Sequence, residues 1–213
     1  MKTIIFSIIL IFLAQVSFAQ ETESAGRTEN PNEIKTLFGK NRRTGGYGGF
    51  SFGYTDIQGN QGLTVGGKGG IIIGQHLTIG LAGKGFSNDY TWEIDANSSS
   101  IVCNGGYGGL LIEPIFFPRF PVHLAIPMVF GAGGMGSYSK YYDTVNEYWR
   151  TTPYEGSAFL VAEIGAEVEF NLTRFFRMAV GAGYRMTTKH STVNSVNGID
   201  GLTVDVVFKF GKF

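Results

Sequence analysis

Residues 201–210 read Gly-Leu-Thr-Val-Asp-Val-Val-Phe-Lys-Phe, and their alternation decides the fold. Leu202, Val204, Val206, Phe208 and Phe210 fall on one parity, while Thr203, Asp205 and Lys209 fall on the other. Side chains repeating with period two point to opposite faces of an extended strand, so one face here is apolar and the other carries charge. Residues 158–170, Ala-Phe-Leu-Val-Ala-Glu-Ile-Gly-Ala-Glu-Val-Glu-Phe, do the same: Leu160, Ile164, Val168 and Phe170 stand against Glu163, Glu167 and Glu169.

Extending this reading along the chain predicts eight strands, near 46–55, 63–74, 76–87, 105–116, 122–135, 158–170, 175–187 and 201–210. A tilted strand crossing a bilayer needs about 9–11 residues, against about 5–6 in an average globular strand. These segments are long enough to cross. The spans contain Lys68, Lys84, Glu113, Glu163, Glu167, Glu169, Arg177, Arg185, Asp205 and Lys209, and all of them lie on the stripe opposite the large apolar side chains. A charge facing lipid near mid-membrane costs about 2–4 kcal/mol, which explains that segregation if the apolar stripe faces hydrocarbon. A soluble sandwich would turn the same stripe inward. The sequence therefore predicts an all-β fold, an eight-stranded antiparallel up-and-down transmembrane β-barrel over 44–213.

The predicted connections alternate in length. Asp56 to Gly62, Asn88 to Asn104, Gly136 to Ser157 and Thr188 to Asp200 read as loops, whereas Gly74 to His76, Phe117 to Pro121 and Asn171 to Arg174 read as tight turns. In barrels of this kind turns face the periplasm and loops face outward. Aromatic residues gather at both predicted rims: Tyr54, Tyr90, Trp92, Tyr138, Tyr141, Tyr142, Tyr148, Trp149, Tyr154 and Tyr184 at the loop side, Phe116, Phe117, Phe120, Phe170, Phe175, Phe176, Phe208 and Phe210 at the turn side. Two interfacial girdles suit a membrane barrel. Tyr47 departs from this pattern.

Composition excludes several classes. Glycine fills 32 of 213 positions, about twice its usual ~7% share, which favours strands over helices. The balance of 17 basic against 17 acidic residues, with 43% hydrophobic, argues against disorder and against electrostatic capture of nucleic acid. The single cysteine, Cys103, cannot form an intramolecular disulfide and reads as a reduced loop thiol. With the histidines unclustered, neither metal nor cofactor is expected. Upstream, Lys2 precedes an apolar run ending Ser17-Phe18-Ala19, so residues 1–19 read as a secretory signal peptide. Residues 20–43 read as a polar periplasmic linker with a basic end at Lys40, Arg42 and Arg43.

Gly45-Gly46-Tyr47-Gly48-Gly49 recurs as Gly105-Gly106-Tyr107-Gly108-Gly109. With the strand pattern over 44–213, this phrase resembles the small eight-stranded outer-membrane barrels of the OmpA and OmpX type, in particular the glycine-rich ones of Bacteroidetes. The resemblance implies residence in the cell outer membrane, contact with membrane lipid and lipopolysaccharide, and a terminal aromatic residue, Phe213, read by the barrel-assembly machinery. Phe213 is out of step with Phe208 and Phe210, and a bulge at Gly211 would restore the phase.

An eight-stranded barrel has a bore that side chains just fill. Five basic and five acidic side chains on the inner stripe can neutralise one another, so a polar plug without substantial conductance is expected. Glu163, Glu167 and Glu169 on one strand invite a cation-site reading, and their spacing suits ion pairs with Arg177 and Arg185 on the next strand at least as well. Of the alternatives, a lipid A deacylase would need a His and a Ser one residue apart on a strand. His76 and His123 lie near turns, and His190 directly precedes Ser191 in a loop, so that arrangement is missing. A palmitoyl-transfer barrel needs a hydrocarbon cavity, which the inner charges oppose. A small transport pore is the other alternative. The expectation is a non-enzymatic envelope or adhesion protein. Its binding residues would be Tyr138, Tyr141, Tyr142, Tyr148 and Trp149 in the 136–157 loop, facing an extracellular ligand. Asp143-Thr144-Val145 in the same loop matches a short O-glycosylation pattern.

Overall fold

The computed structural model describes residues 44–57, 60–88, 100–143, 148–153, 156–188 and 199–213. They form β1 (Thr44–Ile57), β2 (Asn60–Ile73), β3 (Leu77–Ser87), β4 (Ser100–Phe116), β5 (Val122–Ala125), β6 (Met128–Asp143), β7 (Tyr148–Pro153), β8 (Ser157–Asn171), β9 (Phe176–Thr187) and β10 (Gly201–Lys212). Each pairs antiparallel with its neighbours, and β10 returns to pair with β1, which closes the sheet. Closure leaves the barrel without a free edge.

The ten segments make eight staves. The fifth is β5 and β6 together: Ala125 and Met128 keep an unbroken register against Ile115 and Ile112 on β4 and against Glu167 and Ile164 on β8. The interruption comes from Pro114 and Pro127, which have no N–H to give the ladder. Neighbouring amides still bond across it, Ile126 to the Pro114 carbonyl and Gly165 to the Pro127 carbonyl, each at 2.9 Å. The sixth stave is β7 and β8, because both lie on the same side of β6. Pro153 faces Tyr138 and Ser157 faces Met135, so the two pairings with β6 differ in register by one residue.

Two predicted loops turn out to be strand. Within residues 136–157, the described parts are strand: β6 runs on to Asp143 and pairs with β7 as a two-stranded ribbon in which Tyr142 faces Trp149 and Asp143 faces Tyr148. Likewise β1 and β2 stay paired to Ile57 and Asn60, so the predicted Asp56 to Gly62 connection shrinks to a tight hairpin. Glycine and polar residues there suggested a loop, but the ladder to the preceding residues carries the strand pairing through. At the opposite rim, hereafter the turn end, Gly74 and Gln75 adopt positive φ of 61° and 68° as the chain reverses, and Phe117 does so at 57°.

Where side chains are described, which side of the strands meets the outside is unambiguous. None of the predicted outward apolar residues is buried, with Leu81 69% and Phe52 50% exposed, whereas Arg185 is 0% and Lys209 1% exposed. Charges fill the bore and hydrocarbon side chains clothe the wall, the inverse of a soluble core.

The bore is narrow because strands approach closely where their inward residues are glycine. Gly109 on β4 and Gly131 on β6 are register partners, and a Cβ at Gly131 would collide with the Gly108 carbonyl oxygen. Gly131→Val is therefore expected to cost at least about 1–3 kcal/mol through overpacking. Gly48→Ala, which adds a Cβ with nothing within 4 Å, should be near neutral. Equilibrium unfolding of both variants in detergent checks the difference.

Candidate functional site

Among the described residues, the lumen is where the fold collects chemistry, and the repeated glycine-tyrosine phrase helps to build it. Tyr47 and Tyr107 share parity with the inner stripe, and both rings are buried. The Tyr47 hydroxyl donates to Glu113 Oε1 at 2.8 Å, and the Tyr107 hydroxyl donates to Glu163 Oε2. Flanking glycines leave room for each ring inside the bore. This accounts for Tyr47, the aromatic residue that fitted neither girdle.

Toward the turn end, three carboxylates converge. Oxygens of Glu113, Glu167 and Glu169 lie within 4.8 Å of one another, the spacing of a cation site. The cation there is the ammonium of Lys209, 3.0 Å from both oxygens of Glu113, 3.1 Å from Glu167 Oε2 and hydrogen-bonded to Glu169 Oε1. Lys68 donates to Glu113 at 2.8 Å and to Glu167 at 2.5 Å. Arg177 reaches Glu169 Oε2 at 3.3 Å, and His123 Nε2 lies 2.8 Å from the same oxygen. Three carboxylates thus meet three basic side chains and a histidine.

Nearer the loop end, Lys84 donates to Glu163 at 2.6 Å and to Asp205 at 2.5 Å, and Thr64 donates to Asp205 at 3.1 Å. Between the two groups lies a cavity of about 40 Å³ lined by Lys68 and Glu167 on one side and by Lys84, Glu163 and Asp205 on the other. That is room for about three waters.

Both ends of this polar column are apolar. Ile57, Phe86, Cys103, Tyr107, Met135, Phe159, Val161 and Ile199 pack together at the loop end. Tyr47, Ile72, Ile115 and Ala125, with Phe213 against them, do so at the turn end. Cys103 is therefore a buried strand residue and not a loop thiol. Phe213 needs no bulge: Gly211 and Lys212 continue the register against Tyr47 and Gly46. Its ring turns inward, stacks on Tyr47 at 6.1 Å and lies 3.9 Å beneath the Arg177 guanidinium.

The expected glutamate pairing changes in part. Arg177 does meet Glu169, but Arg185 makes no ion pair with Glu163, its register partner on β8. Arg185 instead donates to the carbonyls of Ile199 at 2.8 Å and Asp56 at 3.1 Å, with its guanidinium near the rings of Phe86 and Tyr107. Lysines reaching across the bore take the carboxylates, because an ammonium on a long stem spans the lumen where a neighbouring guanidinium is drawn to free carbonyls.

The candidate binding residues Tyr138, Tyr141, Tyr142, Tyr148 and Trp149 lie on the β6–β7 ribbon, at the far end of the fold from the lysine cluster. Asp143 closes β6. Thr144, Val145, Tyr90, Trp92, Tyr154, His190, Ser191 and residues 1–43 lie outside the described residues. Of the histidines, His76 is exposed in a turn and His123 is buried among charges. Four lumen members, Tyr47, Tyr107, His123 and Thr64, were not assigned to the lumen from the sequence, yet parity alone places each on the inner stripe.

Solved structures share this architecture. A major outer membrane protein from Thermus thermophilus matches with a TM-score of 0.52 and 10% identity, over 80% of this chain and 100% of that one. Neisserial surface protein A gives a TM-score of 0.49 and 13% identity, over 80% and 97%. The attachment invasion locus protein of Yersinia pestis, Ail, gives 0.42 and 12%, over 80% and 97%. No family model and no curated protein matches the chain. The likeness to the Thermus protein is one of fold, and that fold is the outer-membrane β-barrel. Its ring of eight up-and-down staves makes it one of the small, OmpA/OmpX-like kind.

Removing the central cation tests the lumen. Lys209→Met leaves three buried carboxylates short of a partner and is expected to lower stability by about 3–5 kcal/mol. Glu113→Gln should cost less, since Lys209 keeps Glu167 and Glu169. Urea unfolding of the refolded barrels in one detergent compares them.

Proposed function

We propose that the chain is an outer-membrane protein with a closed lumen that acts through its loop end, as a surface binding or adhesion module anchored in the envelope, and not as a pore or an enzyme. One observation carries the reading: the bore holds a matched set of ion pairs capped at each end by an apolar cluster. A hydrated ion entering it would have to displace lysine from carboxylate in a site of low dielectric, which opposes conduction. The charges also leave no hydrocarbon cavity for an acyl chain, and His123 is committed to Glu169 and Arg177.

The wall supplies the membrane anchor, a continuous belt of exposed leucine, isoleucine, valine and phenylalanine. In this reading turns and linker face the periplasm, and the β6–β7 ribbon carries Tyr138, Tyr141, Tyr142, Tyr148 and Trp149 outward, toward lipopolysaccharide and an extracellular ligand. Aromatic side chains give much contact area for little lost freedom, which suits them to recognition. Phe213 serves the assembly machinery before β10 closes on β1, since the finished barrel turns its ring inward.

Planar-bilayer recording of the reconstituted chain is expected to show no stable openings, and long-lived conductance steps would overturn the closed lumen. Deleting residues 139–154 should leave the barrel folded and abolish attachment of cells that display the protein to a surface or ligand that binds the intact chain. Attachment unchanged by that deletion would remove the ribbon from the binding role.

A further inference from the structure

The exposed charges of the two rims are unlike. At the turn end the exposed ionised side chains among the described residues are Arg119, Arg174 and Lys212, and no exposed aspartate or glutamate accompanies them. The acids of the lower barrel all point into the lumen, while Asp56 and Asp200 belong to the loop end. Each cation has an apolar ring beside it in sequence that stands on the outer surface: Arg119 with Phe120, Arg174 with Phe175, Lys212 two residues beyond Phe210. Phe120 and Phe175 are exposed at the rim of the apolar belt, where hydrocarbon gives way to headgroups. Lys212 is exposed and shares the lipid-facing parity of Phe208 and Phe210, on the outer side of the rim. The three cations sit on different connections, between β4 and β5, between β8 and β9, and at the β10–β1 seam, so they line the half of the rim that runs from β4 through β8 to β1.

We propose that this rim is a collar for anionic phospholipid headgroups, with the phenylalanine rings seated at the acyl boundary and the arginine and lysine heads on the phosphates of the turn-side leaflet. A membrane is the occupant that fits, because the cations alternate with exposed apolar rings on a surface continuous with the lipid-facing belt. An acidic soluble partner would call for the charges without the rings. Arginine and lysine near an anionic surface each favour binding by roughly fivefold, and salt screens the effect within a Debye length. The inference requires that the barrel sit in a bilayer and does not depend on whether its lumen conducts.

The test uses the full chain in nanodiscs of equal phosphatidylglycerol and phosphatidylcholine, with the lipids retained on the released protein counted by native mass spectrometry. Phosphatidylglycerol should be enriched at least about fivefold at about 50 mM salt and fall toward parity at about 500 mM. The triple variant Arg119→Gln, Arg174→Gln, Lys212→Gln should bring the ratio to parity, and Asp56→Asn should leave it unchanged. Parity in the unmodified protein would overturn the collar, as would full enrichment in a triple variant with native circular dichroism. If the triple variant does not fold, the salt series on the unmodified chain decides, with a salt-independent ratio counting against the proposal. Lipid parity together with retention on poly-glutamate resin would replace the lipid with an acidic protein partner. Bilayer conductance leaves this ratio untouched, so failure here and failure of the closed lumen are read separately.

Discussion

Everything in this barrel follows from the wall being in contact with hydrocarbon. A charged side chain on that wall would cost about 2–4 kcal/mol at mid-membrane, so the ionised residues of the staves away from the rims, such as Lys68, Glu113, Glu167 and Lys209, must face inward. Inside, an eight-stranded bore has too little space for full hydration shells, and a buried charge without a partner is expensive. Charge balance in the lumen is thus imposed by the solvent outside. Lys209 meets that constraint most directly: one ammonium, 1% exposed, touches carboxylates from β4 and β8 across the bore.

The fold was legible in the sequence because period-two alternation is a local property. Asp205 and Lys209 fall on one parity and Val204 and Phe208 on the other whatever lies across the barrel, and the chain is long enough at each segment to cross a bilayer. The same rule holds for His123 between Val122 and Leu124, and for Tyr47 and Tyr107 among their glycines, although aromatic and imidazole groups do not announce themselves as lumen residues in the way charges do. Parity says which face a side chain takes. It does not say how far around the ring its partner is.

That is why the partners were less readable than the faces. Glu163 and Arg185 are adjacent in register, and adjacency suggested an ion pair. The structure gives Glu163 to Lys84 from the far side of the lumen and Arg185 to two backbone carbonyls at the loop end. Glycine-rich and polar segments raised a similar ambiguity over strand ends: Asp56 and Gly136 look like loop residues alone, but paired neighbours extend the ladder past them. Pro114 and Pro127 broke the hydrogen-bond pattern without breaking the stave, because their carbonyls still accept bonds from Ile126 and Gly165. The inward turn of Phe213 was, by contrast, already present in its parity, and the suggested bulge was unnecessary.

The last stave has a consequence for how the chain reaches its finished form. β10 brings Lys209 to the turn-end acids and Asp205 to Lys84, so each polar group in the bore is completed by the final segment of the polypeptide. A cylinder lacking that segment would be both unhemmed along β1 and electrically lopsided within, and water would linger in its open flank. Geometry and charge are satisfied in a single event, which disfavours half-made forms and makes closure all-or-none, much as a clasp holds only when both halves meet.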